Sequence, residues 1–459
     1  MSGDRASRLT FVTGVGTVTG ANFLLETPAG SKVLVDCGMV QGEKVAQKEN
    51  AEAFPYDLAS VSALVVTHAH LDHVGRIPKL VKDGYRGPIY STPQTLELGR
   101  LVLEDAVGII ADEARRNGTE PLYSAEDVAR IFPQWKTVGY HEKLSVAADV
   151  SVYLKDAGHI LGSAMVEATV AGGPKVLFTG DLGNSPHPLL RDTEPVGDVD
   201  YMVMESVYGD RNHESRDDRT SKLRSAIDET MKKGGTLVIP SFALDRSQVL
   251  LYELNMLVRE GKAPSVPVFF DSPMAEKATA VYAASTGLFN DAAKAKIAAG
   301  DKLFSFPHLK FVEDQRESRA IDGLKQAKII MAGAGMSVGG RVINHELHYL
   351  SDPKSTILLV GYQSPGSLGR ELADGAKKVR IHGEEVEVKA AVETLYGFSA
   401  HKDSDHLVEF VSTATDRLKQ VFVAMGEPGA SMHLAQRLND ELGAHAVVPE
   451  RGTAYTLEA

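Results

Sequence analysis

The chain has 459 residues, 49 Lys+Arg against 61 Asp+Glu, a formal net charge of -12, 43% hydrophobic residues and 24% charged ones. That length exceeds one ordinary core and predicts two or three domains, while the balance excludes a disordered chain, a collagen-like fibre and a disulfide-stapled mini-protein. The single cysteine, Cys37, excludes an intramolecular disulfide and fits a reducing compartment, and the acidic balance argues against a generic polycation while leaving room for one basic cleft.

The start, MSGDRASRLTFVTG, has no long apolar segment of a secretory signal, and no run approaches the roughly 20 apolar residues that span a bilayer. A cytoplasmic protein without membrane association is expected. LTFVTG (9–14), ANFLLET (21–27), KVLVDCG (32–38) and ALVVTHAH (63–70) predict strands, the first three antiparallel. The glycines of TGVGTVTG (13–20) read as a turn between strands, because the spacing is not GxGxxG and a strand follows instead of a helix. Residues 95–116 carry helical periodicity, and Trp135 beyond them carries no functional signal. Further strands are predicted at 151–159, 164–170, 175–181 and 201–206.

After about residue 207 strand and helix alternate regularly. TLVIPSF (236–242) precedes a helix over 245–260, VPVFFDS (266–272) precedes another, and KIIMAG (328–333) and STILLVG (355–361) follow. That grammar predicts a doubly wound parallel sheet. The polar stretch 361–378 reads as the return crossing, and EVEVKAAVETL, QVFVAM and AHAVVP supply more β-structure. The expected organisation is a first domain over 1–207, an inserted domain over 208–372, and a segment over 373–459 that completes the first.

The segment that carries chemistry is THAHLDH: Thr67, His68, Ala69, His70, Leu71, Asp72 and His73, directly after the apolar ALVV. Imidazole and carboxylate are good zinc ligands, and the end of a buried strand holds them rigidly. Strand alternation lets His68 and His70 point the same way, while the turn redirects Asp72 and His73, so one segment can serve two neighbouring metals. Two later strand ends offer His159, in DAGHILGSA, and Asp181, in KVLFTGDLG. Asp36, ending KVLVD, either supports the histidine loop through hydrogen bonds or is a plain turn aspartate.

Asp36, HxHxDH at 68–73, His159 and Asp181 resemble the ordered motifs of the metallo-β-lactamase fold. MESVYGDR (204–211), PSFALDRSQ (240–248), GAGMSVGGR (333–341), GYQSPGSLGR (361–370) and YGFSAH (396–401) resemble its β-CASP branch, which includes the endonuclease subunit of pre-mRNA 3′ processing, its bacterial and archaeal relatives, and ribonuclease J. The resemblance covers nearly the whole chain, in order. It implies an α/β architecture: a metallo-β-lactamase αββα sandwich with an inserted doubly wound parallel-sheet β-CASP domain that covers the metal site and leaves a narrow groove.

It further implies a two-zinc nuclease hydrolysing RNA phosphodiesters. His68, His70 and His159 would hold the first zinc, Asp72 and His73 the second, and Asp181 would bridge both. Asp72, Glu205 and His401 form the implied catalytic set, with His401 as general acid and Glu205 orienting its imidazole. Arg246, Ser337, Arg341 and Arg370 lie in segments like the branch's phosphate-contacting loops, where Arg either grips phosphate bidentately or sits in a surface or inter-domain ion pair. Related ribonucleases place a further zinc-binding histidine where this chain has Met425, and thioether is a poor zinc ligand. The second zinc is therefore expected to bind weakly. RNA is the expected partner, with homodimer formation compatible. DNA cleavage is the alternative reading, since DNA-processing members also lack that histidine. Thioester, lactam or lactone hydrolysis and a non-catalytic RNA-binding scaffold are the readings from other classes.

Overall fold

The computed structural model describes residues 6–41 and 46–459. Residues 6–41, 46–212 and 401–459 form one compact unit and residues 213–400 a second. The chain enters the first unit through β1 (Ser7–Thr13), β2 (Asn22–Glu26), β3 (Lys32–Val35), β4 (Ala63–Val65), β5 (Ile89–Ser91) and β6 (Trp135–Thr137). It continues through β7 (Lys143–Ser145), β8 (Val150–Asp156), β9 (Ala164–Val170), β10 (Lys175–Phe178) and β11 (Tyr201–Met204). The second unit holds β12 (Thr236–Pro240), β13 (Val268–Asp271), β14 (Leu309–Phe311), β15 (Lys328–Ala332), β16 (Thr356–Leu359), β17 (Lys378–Ile381), β18 (Glu384–Glu387) and β19 (Ala391–Thr394). The first unit is completed by β20 (Gln420–Val423), β21 (Ala446–Val447) and β22 (Ala454–Leu457).

The first unit contains two seven-stranded mixed sheets, ordered β22-β1-β2-β3-β4-β5-β6 and β21-β20-β11-β10-β9-β8-β7. Leu9, Phe11, Phe23, Val33 and Val65 of one sheet pack against Leu154, Val166, Phe178, Val203 and Phe422 of the other, all fully or nearly buried. This shared core is what alternating strands produce when each sheet turns one apolar face inward. The outer face of the second sheet carries a separate core in which Leu407 and Phe410 of helix Ser404–Ser412 and Leu434 and Leu438 of helix Pro428–Leu442 meet Leu177, Met202 and Val421. Helix Pro93–Asn117 starts with Pro93 and is capped by Thr92, whose hydroxyl accepts from the Thr95 amide. It buries Leu98, Val102 and Leu103. The layering is the expected αββα sandwich.

In the second unit six parallel strands run in the order β14-β13-β15-β12-β16-β19. Strands such as TLVIP and KIIMA are buried at every position, as a sheet covered on both faces requires. The expected boundaries move. Residues 208–212 stay with the first unit, where Tyr208 bridges Asp403 and Arg211 accepts from the Ser404 amide. Residues 373–400, expected in the completing segment, instead contribute the β17–β18 hairpin and β19, and β19 pairs with β16 from Thr356↔Ala391 to Leu359↔Thr394. An apolar run predicts a strand but not which sheet it joins. No described helix is long and apolar enough to cross a membrane.

Candidate metal centre

The centre lies at the carboxyl ends of β3, β4, β8 and β10. Asp36 follows β3 with φ of 59°, a left-handed conformation that costs energy for a residue with a side chain. Its fully buried carboxylate accepts from the Thr67 amide and the Thr67 hydroxyl, each at 2.8 Å, and lies 2.7 Å from His73 Nδ1. The turn at 37–39 is closed against the histidine loop: Cys37 and Met39 donate to the carbonyls of His73 and Leu71. At Gly38 any Cβ would stand 1.5 Å from the Asp72 carbonyl oxygen, so glycine alone fits. Thr67, the first residue of the motif, also places its hydroxyl 3.1 Å from His68 Nδ1, leaving His68 Nε2 to face the centre. Sequence reading missed this role, although a threonine directly before HxHxDH was its visible signal.

His159 is held by the loop after β8. Its amide donates to Ser163 Oγ at 3.0 Å, and the Thr92 and Thr95 hydroxyls both donate to the Gly162 carbonyl, at 2.6 and 2.9 Å. The helix cap thereby also fixes the ligand loop.

Four donor atoms converge. His68 Nε2 is 3.1 Å from His70 Nδ1 and 3.3 Å from Asp181 Oδ2; His159 Nε2 is 3.2 Å from His70 Nδ1 and 3.4 Å from Asp181 Oδ2. A tetrahedral zinc with bonds of about 2.0–2.1 Å separates its ligand atoms by about 3.3 Å; four of the six separations here are close to that, and all four atoms lie within 4.8 Å of one another. Burial, then the neighbouring rings (His68 for His70, His401 for His159), hold both imidazoles well below their ordinary pKa of 6.5. Neutral rings are what a metal needs.

A second donor set adjoins the first. His73 Nε2 lies 3.3 Å from Asp181 Oδ1 and 3.9 Å from Asp72 Oδ2. His73 Nε2 and Asp181 Oδ1 are both buried without a hydrogen-bond partner, an arrangement costly for protein alone and natural for two atoms that share a cation. Burial opposes ionisation of Asp181, but His73, His68 and His401 outweigh it and hold the carboxyl well below its usual range. The two oxygens of Asp181 thus face the two donor sets.

On the other side His401 Nδ1 lies 3.1 Å from both oxygens of Glu205, and the Leu182 amide donates to Glu205 Oε1 at 2.6 Å. Burial opposes charge on His401, yet Glu205 and Asp181 raise its pKa to about 8. The side chains of His401 and Asp72 are 18% and 16% exposed, against 0–4% for His68, His73, His159 and Asp181. With His70, which is also half-buried, these mark the solvent-facing side.

Met425 follows β20 with φ of 48° and is 3% exposed within the inter-sheet core. Its sulfur lies where a Cβ on Gly14 would meet it at 2.8 Å, so the glycine turn between β1 and β2 makes room for it. Met425, His73, Asp36 and Glu205 border one small cavity of about 10 Å³.

The four residues expected at phosphate belong to the second unit. Arg341 donates to Asp271 Oδ1 at 2.6 Å and to the Val312 and Glu313 carbonyls; Ser337 donates to Glu346 Oε1 at 2.5 Å. Arg370 pairs with Asp374 at 3.0 Å, and Arg246 is buried beside Gly361 at the start of helix Arg246–Arg259.

Fold and donor set together define a metal-dependent hydrolase of the metallo-β-lactamase superfamily, whose description matches residues 15–241. Residues 247–372 match the Beta-Casp domain and residues 385–449 the Zn-dependent metallo-hydrolase RNA specificity domain. The chain is 37% identical over 394 residues to "Ribonuclease TTHA0252" of Thermus thermophilus, covering 86% of this chain and 88% of that one. It is 33% identical to "Transcription termination factor FttA" of Methanosarcina mazei (96% of this chain, 70% of that one) and 32% identical to an "RNase J-like protein" of Methanocaldococcus jannaschii (94% of each). The fold also matches a crystal structure from Enterococcus faecalis, of a protein of unknown function, with a TM-score of 0.55 at 13% identity over 99% of this chain and 100% of that one. The chain belongs to the β-CASP family of metallo-β-lactamase-fold nucleases.

Proposed function

We propose that this enzyme hydrolyses RNA phosphodiester bonds with two zinc ions, one held by His68, His70, His159 and Asp181 and the other by Asp72, His73 and Asp181. The observation that carries the proposal is the two-sided presentation of Asp181: one oxygen closes a four-donor set within 4.8 Å, four of whose separations are 3.1–3.4 Å, and the other is orphaned beside the orphaned His73 Nε2. Bound there, the metals supply Lewis acidity that activates water and offset charge on the phosphorane-like transition state.

The chain's own groups do the rest. Asp36 and Thr67 fix the tautomers of His73 and His68 by engaging their Nδ1 atoms, so the Nε2 lone pairs face inward. The Glu205 carboxylate beside His401 favours its protonated form, and Glu205 orients it to deliver that proton to the leaving oxygen. The matched RNA specificity domain and a relative called a ribonuclease support RNA over DNA. Met425, packed in the core, leaves the second metal three protein ligands, so that metal binds the more weakly. Arg341 and Ser337 shape their loops through internal bonds in place of gripping phosphate.

Purified enzyme incubated with defined RNA and matched DNA, with and without chelator, tests the proposal. Metal-dependent cleavage confined to RNA is expected. Cleavage of DNA alone moves the assignment to the DNA branch, and RNA affinity without turnover at any metal loading makes the chain a scaffold.

A further inference from the structure

Lys402 directly follows the proposed general acid, and its environment is unlike that of the other buried lysines. It is 5% exposed. Among the described residues its ammonium donates to a single atom, the Ser185 hydroxyl at 3.2 Å, and no carboxylate lies within ion-pair distance of it. By contrast Lys79 pairs with Asp83, and Lys155 and Lys328 each donate to two backbone carbonyls. Burial pushes the Lys402 pKa down, partly offset by the more distant charges of Asp192, Glu205, Glu409 and Asp403. A buried cation whose one protein partner among the described residues is a neutral hydroxyl carries a desolvation cost that no ion pair offsets.

Its placement is informative. His401 bridges Gly183, and the Lys402 amide donates to the Leu182 carbonyl, so residues 401–402 run beside 182–183 as adjoining extended segments. Successive side chains of extended backbone point to opposite sides. His401 turns to Glu205 and Asp181, and Lys402 turns to the loop that begins at Gly183, where Ser185 is half-buried and Pro186 exposed. The Ser185 hydroxyl accepts from Lys402 and donates only a long bond, 3.5 Å, to the Gly183 carbonyl. An ammonium and a hydroxyl side by side, beneath a turn whose Ser185 is half-buried and Pro186 exposed, make a donor pair for a singly charged tetrahedral anion.

We infer that Lys402 and Ser185 form a subsite for one backbone phosphodiester of the RNA, next to the bond whose leaving oxygen His401 protonates. The inference rests on the proposed reading of the site as an RNA phosphodiesterase. Lys402 supplies the charge, Ser185 a hydrogen bond, and together they hold the strand in register with His401. Occupation by substrate removes the electrostatic cost that the free enzyme bears.

The test is equilibrium binding of a fluorescent single-stranded RNA oligonucleotide to the full chain across a range of salt, with chelator present to prevent cleavage. Each phosphate neutralised on a single strand contributes about 0.7 to the slope of log K against log salt. Lys402→Met should lower affinity and flatten that slope by about 0.7, equally for 5′-hydroxyl and 5′-monophosphate RNA, because the phosphate bound is internal. Lys402→Arg should restore the slope. Lys136→Met, which removes an exposed charge from β6, should leave it unchanged. Thermal unfolding separates this from a structural role: removing an uncompensated buried charge should keep Tm the same or raise it. An unchanged slope in Lys402→Met, or a lowered Tm with full RNA affinity, overturns the inference. Absence of RNA binding by the unmodified enzyme would instead overturn the RNA reading on which it rests.

Discussion

Each unit buries histidine among titratable groups, at strand ends in the first unit and in helix Val342–Tyr349 in the second, and the two solve the same problem in opposite ways. In the second unit His345 presents both ring nitrogens to carboxylates, Nδ1 to Asp322 and Nε2 to Asp271, each at 2.8 Å, and Asp271 is also met by Arg341 and Ser318. Charges cancel within the protein. In the first unit His68, His70 and His159 present nitrogens to one another, with ring centroids 4.9–5.0 Å apart. Three ring nitrogens crowd around one carboxylate oxygen, Asp181 Oδ2, where His345 has a carboxylate for each nitrogen. A histidine among carboxylates is finished by the fold, whereas histidines facing each other are finished only by a metal.

The largest effect expected from breaking this contrast is at His68. Replacing it with Ala should remove most first-site metal and nearly all cleavage, yet leave the fold intact. Metal analysis and circular dichroism check this; full occupancy with normal activity would exclude His68 as a ligand. Next is His401→Ala, which should lower turnover by roughly 10²–10⁴-fold with metal content unchanged. A substrate with an activated leaving group should recover much of that loss, and equal losses on both substrates would remove the acid role.

In the second unit the sign reverses: stability suffers and metal does not. Asp271→Ala strands His345 and Arg341, and breaking a buried pair typically costs about 3–5 kcal/mol. Denaturant unfolding should show that loss with no change in metal stoichiometry. Stability should also depend on pH. Burial opposes charge on His345, but Asp271 and Asp322 raise its pKa from 6.5 to about 9. A raised folded-state pKa means the contribution is complete below about pH 6.5 and is lost as pH rises through about 9, a change on the order of 3 kcal/mol. Burial pushes Glu346 up to about 8 from 4.5, which also makes the fold weaken as pH rises, between those two values. Melting temperatures at pH 6 and pH 9 measure the sum, and a second unit more stable at pH 9 would contradict both assignments.

The smallest expected effect is at Met425. Met425→His should tighten the second metal, detected by titration and anomalous scattering, without necessarily raising turnover, because a filled coordination position is one that substrate loses. Two equally tight metals in the unmodified enzyme would show a ligand beyond Asp72, His73 and Asp181.

Much of this was legible in the sequence because strand ends announce themselves. ALVV running into THAHLDH and KVLF running into TGD locate ligands at the ends of β4 and β10. The short strands β5, β6, β7 and β14, of three residues each, gave no comparable signal. Trp135 looked inert in a polar setting, yet it is buried in β6 and donates to Ser91. His345 carries no local signal because its partners Asp271 and Asp322 lie 74 and 23 residues away. Thr67 and Lys402 were hidden differently: each adjoins a motif residue, and only the bonds they make or lack show what they do.

Cleavage of a defined single-stranded RNA by metal-stripped enzyme, titrated with zinc, tests the central claim most directly. The stripped enzyme should be inert, and activity should return as zinc fills the His68–His70–His159–Asp181 set and then, at higher concentration, the Asp72–His73–Asp181 set. Full RNA cleavage by the stripped enzyme, or none at saturating occupancy of both sites, would contradict the account.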